Sequence, residues 1–112
     1  MATPLNVFRT YTAELTTNNE IIYTVPENNT GIVLMAQVAN ISANTAAVTF
    51  AHYNSFSDVE TELVKDYEIP GNDSSSVVTG KLVIQEGDSV KAQSSAADTF
   101  KITLSILESL NA

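Results

Sequence analysis

His52 is the one histidine of the chain, and histidine is the side chain that general acid–base catalysis uses most. It works only when a nucleophile or a carboxylate positions it. Its neighbours Tyr53 and Asn54 make no known triad, and the alternation Val48, Phe50, His52 puts it on one face of a strand. A structural or surface role is expected, not catalysis. Asp58, Glu60, Glu62, Asp66 and Glu68 form the densest acidic group, and converging carboxylates are what calcium requires. Their spacing matches no calcium loop. Glu62, Asp66 and Glu68 share a parity that sets them about 7 Å or more apart along a strand, so a solvated sheet face is expected, with no metal and no cofactor. A glycosidase would need two acids facing one cleft, and a deep cleft is not expected in 112 residues. Gly31, Gly71, Gly80 and Gly87 stand singly, which fits turns and makes no phosphate-cradling loop.

Aromatic residues remain. Four Tyr and four Phe, without Trp, make a poor sugar-stacking set, and most fall on strand faces that need a core. Phe56 is different, because it follows Tyr53 in a loop, where an exposed ring can anchor a partner. Phe56, Tyr53 and Met35 are the candidate partner contacts, and the sequence nominates no catalytic residue.

The elements that must carry these residues are short. From Val7 to Leu110, apolar alternation is stopped repeatedly by Asn, Ser, Gly or Pro clusters, the pattern of an antiparallel β-sandwich. Val7–Leu15 predicts a strand, with Phe8 off the face that carries Tyr11, Ala13 and Leu15. Asn18 and Asn19 predict a hairpin turn into Ile21–Val25. Ile32–Ile41, apolar on both faces, predicts a central strand buried on two sides, one of them by another molecule. With Ala46–Tyr53 it is expected to form the clearest hairpin. Asn54–Thr61 reads as an irregular loop. Leu63–Ile69, Ser74–Val78, Leu82–Ile84, Ser89–Ser94 and Thr99–Leu107 complete about eight strands, of jelly-roll-like or alternatively immunoglobulin-like topology. Residues 1–6 read as an N-terminal arm and 7–112 as one sandwich domain.

Charge narrows the partners. Thirteen acidic residues against five basic give a net charge of -8, and Arg9, Lys65, Lys81, Lys91 and Lys101 are scattered. Phosphate recognition needs clustered cations, so neither nucleic acid nor an anionic membrane is an expected partner. Only 16% of residues are charged, against about 25% in average proteins. A surface of hydroxyls and amides suits packing among proteins, because uncharged groups lose less on desolvation. The chain has no cysteine, so no disulfide framework holds it. Met1–Asn6 lacks the basic and apolar regions of a signal peptide, and synthesis and assembly in the cytosol are expected.

Ile22-Tyr-Thr-Val-Pro26, the run Ile32–Asn40, Ile69-Pro70, and Lys81-Leu-Val-Ile-Gln-Glu-Gly-Asp88 leading to Leu104-Ser-Ile-Leu-Glu108 resemble small all-β virion structural proteins of tailed bacteriophages, including cyanophages. The resemblance spans most of the chain. It implies a non-enzymatic module on the outer virion surface, decorating the capsid or building neck or tail in symmetric copies, with other virion proteins and its own copies as partners. It carries over no catalytic residue. The same sandwich could instead serve as a carbohydrate-binding or host-attachment module.

Overall fold

The computed structural model describes residues 6–111. Its strands are β1 (Asn6–Glu14), β2 (Glu20–Thr24), β3 (Asn29–Asn40), β4 (Ala46–Asn54), β5 (Val59–Ile69), β6 (Ser74–Ser76), β7 (Leu82–Ile84), β8 (Ser89–Ser94) and β9 (Phe100–Leu110). One sheet runs β1-β9-β3, with the short β6 and β7 at different points along the far side of β3; the other runs β2-β8-β4-β5. All pairings are antiparallel. The arm expected at 1–6 lies outside the described residues except for Asn6, which opens β1.

Alternation explains why these segments pair face to face. In β9, Phe100, Ile102, Leu104 and Ile106 are buried while Lys101, Thr103 and Ser105 point away. They meet Val33, Ala36 and Val38 of β3, and Val48 and Phe50 of β4, in one core with Leu15, Ile69 and Ile84. Burying each large apolar side chain stabilises the fold by about 1.5–3 kcal/mol. Among the described residues, no buried side-chain nitrogen or oxygen lacks a hydrogen-bond partner.

Both expected hairpins, and the immunoglobulin alternative, are corrected by the pairing. β1 and β2 lie in different sheets, as do β3 and β4. A two-residue hairpin turn of the Asn type needs positive φ at both central residues, but neither Asn18 nor Asn19 has it. The chain crosses instead to the second sheet, where Ser94 donates to the Thr16 carbonyl at 2.8 Å. Between β3 and β4, buried Asn40 builds an arch: its amide donates to the Asn44 and Ile69 carbonyls, and its oxygen accepts from Ser42. A Cβ on Gly71 would lie 2.4 Å from the Ala43 carbonyl carbon, so this arch requires glycine there. An immunoglobulin sandwich keeps its first two strands in one sheet; here they interleave, in jelly-roll-like order.

The supposed loop Asn54–Thr61 contains a tight turn joining β4 to β5. The Asn54 side-chain oxygen accepts from the Phe56 and Ser57 amides, and Asp58 takes φ 57°. β3 is not covered on two sides within the chain. A bulge between Val33 and Met35 rephases the strand, so Val33, Ala36 and Val38 face inward while Met35 and Ile41 are exposed.

Candidate docking surface

The outer face of the first sheet carries an apolar row. Phe8 of β1 lies opposite Leu107 of β9, Leu107 opposite Ile32 of β3, and Ile32 opposite Val83 of β7. Directly paired residues share a face, so the four side chains run about 14 Å across the strands. Phe8 is 74% exposed and Val83 53%. The neighbouring rows are almost uncharged. Thr10, Ser105 and Met35 form one, Thr12, Thr103, Gln37 and Ser76 the next, and Asn6, Ser109 and Thr30 lie on the other flank. Among these paired rows, charge enters in a further one beyond Thr12, where Glu14 faces Lys101.

The second sheet is the reverse. Glu60, Glu62 and Glu68 pair with Tyr53, Ala51 and Ala47 on its outer face, and Glu62, Asp66 and Glu68 are exposed. Two bulges break the simple parity of β5, and Asp66 sits at φ 50°. Its amide donates to Thr49 Oγ1 at 3.1 Å. Lys91 answers part of this charge, 3.2 Å from Glu60 and over the Tyr53 ring. Among the described residues, no three His, Cys, Asp or Glu side chains gather where a metal ion could be held.

The three nominated contact residues are therefore separated. Met35 lies on the neutral face and is 38% exposed; Phe56 stands at the β4–β5 turn and is fully exposed. Tyr53 belongs to the acidic sheet. Its hydroxyl donates to Asp58, and this bond, more than burial, raises the phenol's pKa. Phe8, Ile32, Leu107 and Val83 were not nominated. The signal was present in Phe8, an aromatic out of phase with the inward residues of its own strand.

Two buried carboxylates brace the structure. Asp88 is 2% exposed and accepts four bonds: from the Ser55 amide and hydroxyl on Oδ1, and from the Gln85 amide on Oδ2 with His52 Nε2 at 3.1 Å. His52 thus has the carboxylate partner that its sequence neighbours did not reveal. The Ser55 hydroxyl donates to that carboxylate, so the cluster ties the β4–β5 turn to the start of β8. Burial alone would raise the Asp88 pKa, but the bonds from Ser55, His52 and Gln85 outweigh it and hold it below the ordinary 3.8. Glu108 accepts from the Tyr23 hydroxyl at 2.6 Å and Arg9 Nε at 2.7 Å. Burial, then this bond, pushes the Tyr23 phenol far above its usual range, and the bond to Glu108 raises the Arg9 pKa. The pair fastens edge strand β1 to the core.

No family model matches this chain, and no curated protein sequence does. Among solved structures the fold is similar to a chain from Bacillus endospore appendages, a family of disulfide-linked pili, with TM-score 0.58 and 14% identity over 96% of this chain and 88% of that one. It is equally similar to a chain from the acid-stable capsid of Helicobacter pylori bacteriophage KHP30, with TM-score 0.58 and 9% identity over 99% of this chain and 92% of that one. At these identities the likeness establishes the all-β sandwich.

Proposed function

We propose that this chain is a non-enzymatic structural protein of a bacteriophage virion, seated on the outer surface of the capsid, neck or tail. It docks in several copies through the outer face of the β1-β9-β3-β7 sheet. The observation that carries the reading is the segregation of charge. A protein of net charge -8 keeps one face free of net charge and lays an uncovered apolar row across it. Its carboxylates crowd the opposite sheet. Burying Phe8 and Val83 would contribute up to about 1.5–3 kcal/mol each, a modest gain per copy that repetition multiplies. Both fold neighbours come from assemblies, a capsid and a pilus, which supports a structural role. The assignment to tailed, cyanophage-like virions comes from the sequence resemblance.

The experiment places Phe8→Lys and Val83→Lys, singly and together, in copies added to purified particles, with Glu62→Lys as a control on the opposite sheet. The reading expects the double variant to lose binding and the control to keep it. Binding that survives the double variant but fails in the control overturns it. Specific binding to a glycan in place of particles would favour host attachment.

A further inference from the structure

A sandwich of open sheets has free edges, and an edge that is long, regular and uncharged invites pairing with another strand. Three edges here are blunted. β2 has five residues and a register shift between Ile21 and Tyr23. β5 carries two bulges and the charges of Glu60, Glu62, Lys65, Asp66 and Glu68. β6 and β7 are three residues each, interrupted along β3. β1 is the exception, with nine residues in unbroken register on β9, no proline, and charges that cancel, Arg9 against Glu14. Its free side is also determined. Leu15 donates to the Phe100 carbonyl at 2.9 Å, one step beyond the Glu14–Lys101 pair. In an antiparallel ladder every second residue bonds to the same neighbour. The odd-numbered residues of β1 therefore bond to β9, and Phe8, Thr10 and Thr12 turn their N–H and C=O groups outward.

We propose that this edge pairs with β1 of a second copy, antiparallel about a two-fold axis at Thr10. The second copy is the occupant because the strand complements itself. Centred on Thr10, each outward group meets an outward group: Thr10 pairs with Thr10, and Phe8 with Thr12 in both directions. Asn6 then faces Glu14 and Arg9 faces Tyr11, so no like charges oppose. Moving the axis to Arg9 would set arginine against arginine, which is unfavourable. The even-numbered side chains stay on one face, so two first sheets join into one continuous sheet and their apolar rows lie on the same side. This pairing goes beyond the docking reading and does not depend on what the neutral face binds.

The test is the mass in solution of the full chain and three variants, by analytical ultracentrifugation or light scattering, with circular dichroism to verify folding. Thr10→Pro removes an N–H that points away from β9 and pairs with no strand among the described residues, a place where an edge strand tolerates proline. Thr10→Lys and Thr10→Glu each set like charges across the axis. The unmodified chain is expected at twice its 12.0 kDa mass, Thr10→Pro as a monomer, and each charged variant weakened by roughly tenfold or more. An equal mixture of Thr10→Lys and Thr10→Glu should recover the dimer. A monomeric unmodified chain, variants that dimerise as it does, or a mixture of folded charged variants that stays monomeric would each overturn the pairing. Particle binding of monomeric Thr10→Pro judges the docking face separately.

Discussion

Replacing Asp88 with asparagine should lower stability by an amount that the hydrogen bonds fix. The carboxylate accepts from the Ser55 amide and hydroxyl on one oxygen and from the Gln85 amide on the other. An asparagine has one oxygen, which can face either the Ser55 donors or the Gln85 amide but not both. One partly buried backbone N–H is left without its acceptor, at about 1–3 kcal/mol, and the surviving bonds lose their charge assistance, about 1 kcal/mol more. The total is about 2–4 kcal/mol. In a domain of this size each kcal/mol moves the melting temperature by about 4 °C, so a fall of about 8–16 °C is expected at neutral pH. The pH dependence has a definite sign. The Asp88 pKa in the fold lies below its ordinary 3.8, so its contribution is complete above that value and is lost as pH falls through the folded pKa. Once protonated, Asp88 has one acceptor and one donor, much like asparagine. Thermal unfolding followed by circular dichroism should therefore show a gap that holds from pH 7 to about 5 and narrows below 3.8. A gap under about 1 °C at neutral pH, or one that does not change on acidification, would refute the reasoning.

His52→Ala should cost about 1–3 kcal/mol, because it removes one of the partners of Asp88, and should leave particle binding intact; lost binding in a folded variant would show that the histidine has a role in docking. Gly71→Ala should destabilise by about 1–3 kcal/mol or more, since its Cβ would meet Ala43 backbone that cannot move freely; an unchanged denaturant midpoint would contradict the arch geometry. A chelator should leave the melting temperature unchanged, as no structural metal is expected; a marked drop would reveal a cation site among the acids of β5.

The class of fold was legible because alternation records which side of a strand meets the core, and Phe100, Ile102, Leu104 and Ile106 state it plainly. Connectivity was less so. Loop length and Asn content suggested hairpins after β1 and β3, but the conformation of Asn18 and Asn19 and the buried bonds of Asn40 decide that the chain crosses between sheets, and neither is visible in residue type. Bulges were hidden too, and each reverses parity, so the residues of Ile32–Ile41 that face inward, Val33, Ala36 and Val38, do not share one parity. The apolar row was not legible because its members come from β1, β3, β7 and β9, and only strand order places them together. The partner of His52 lies 36 positions along the chain, beyond the reach of any local motif.

The proposed function turns on which face of the sandwich is covered in a virion. Electron cryomicroscopy of intact virions, with this chain located in the map, measures it. Copies are expected on the outer surface, with Phe8, Ile32, Leu107 and Val83 against a neighbouring protein and Glu62, Asp66 and Glu68 facing solvent. Copies lying inside the shell against DNA, or a covered acidic sheet with the apolar row left bare, would contradict it.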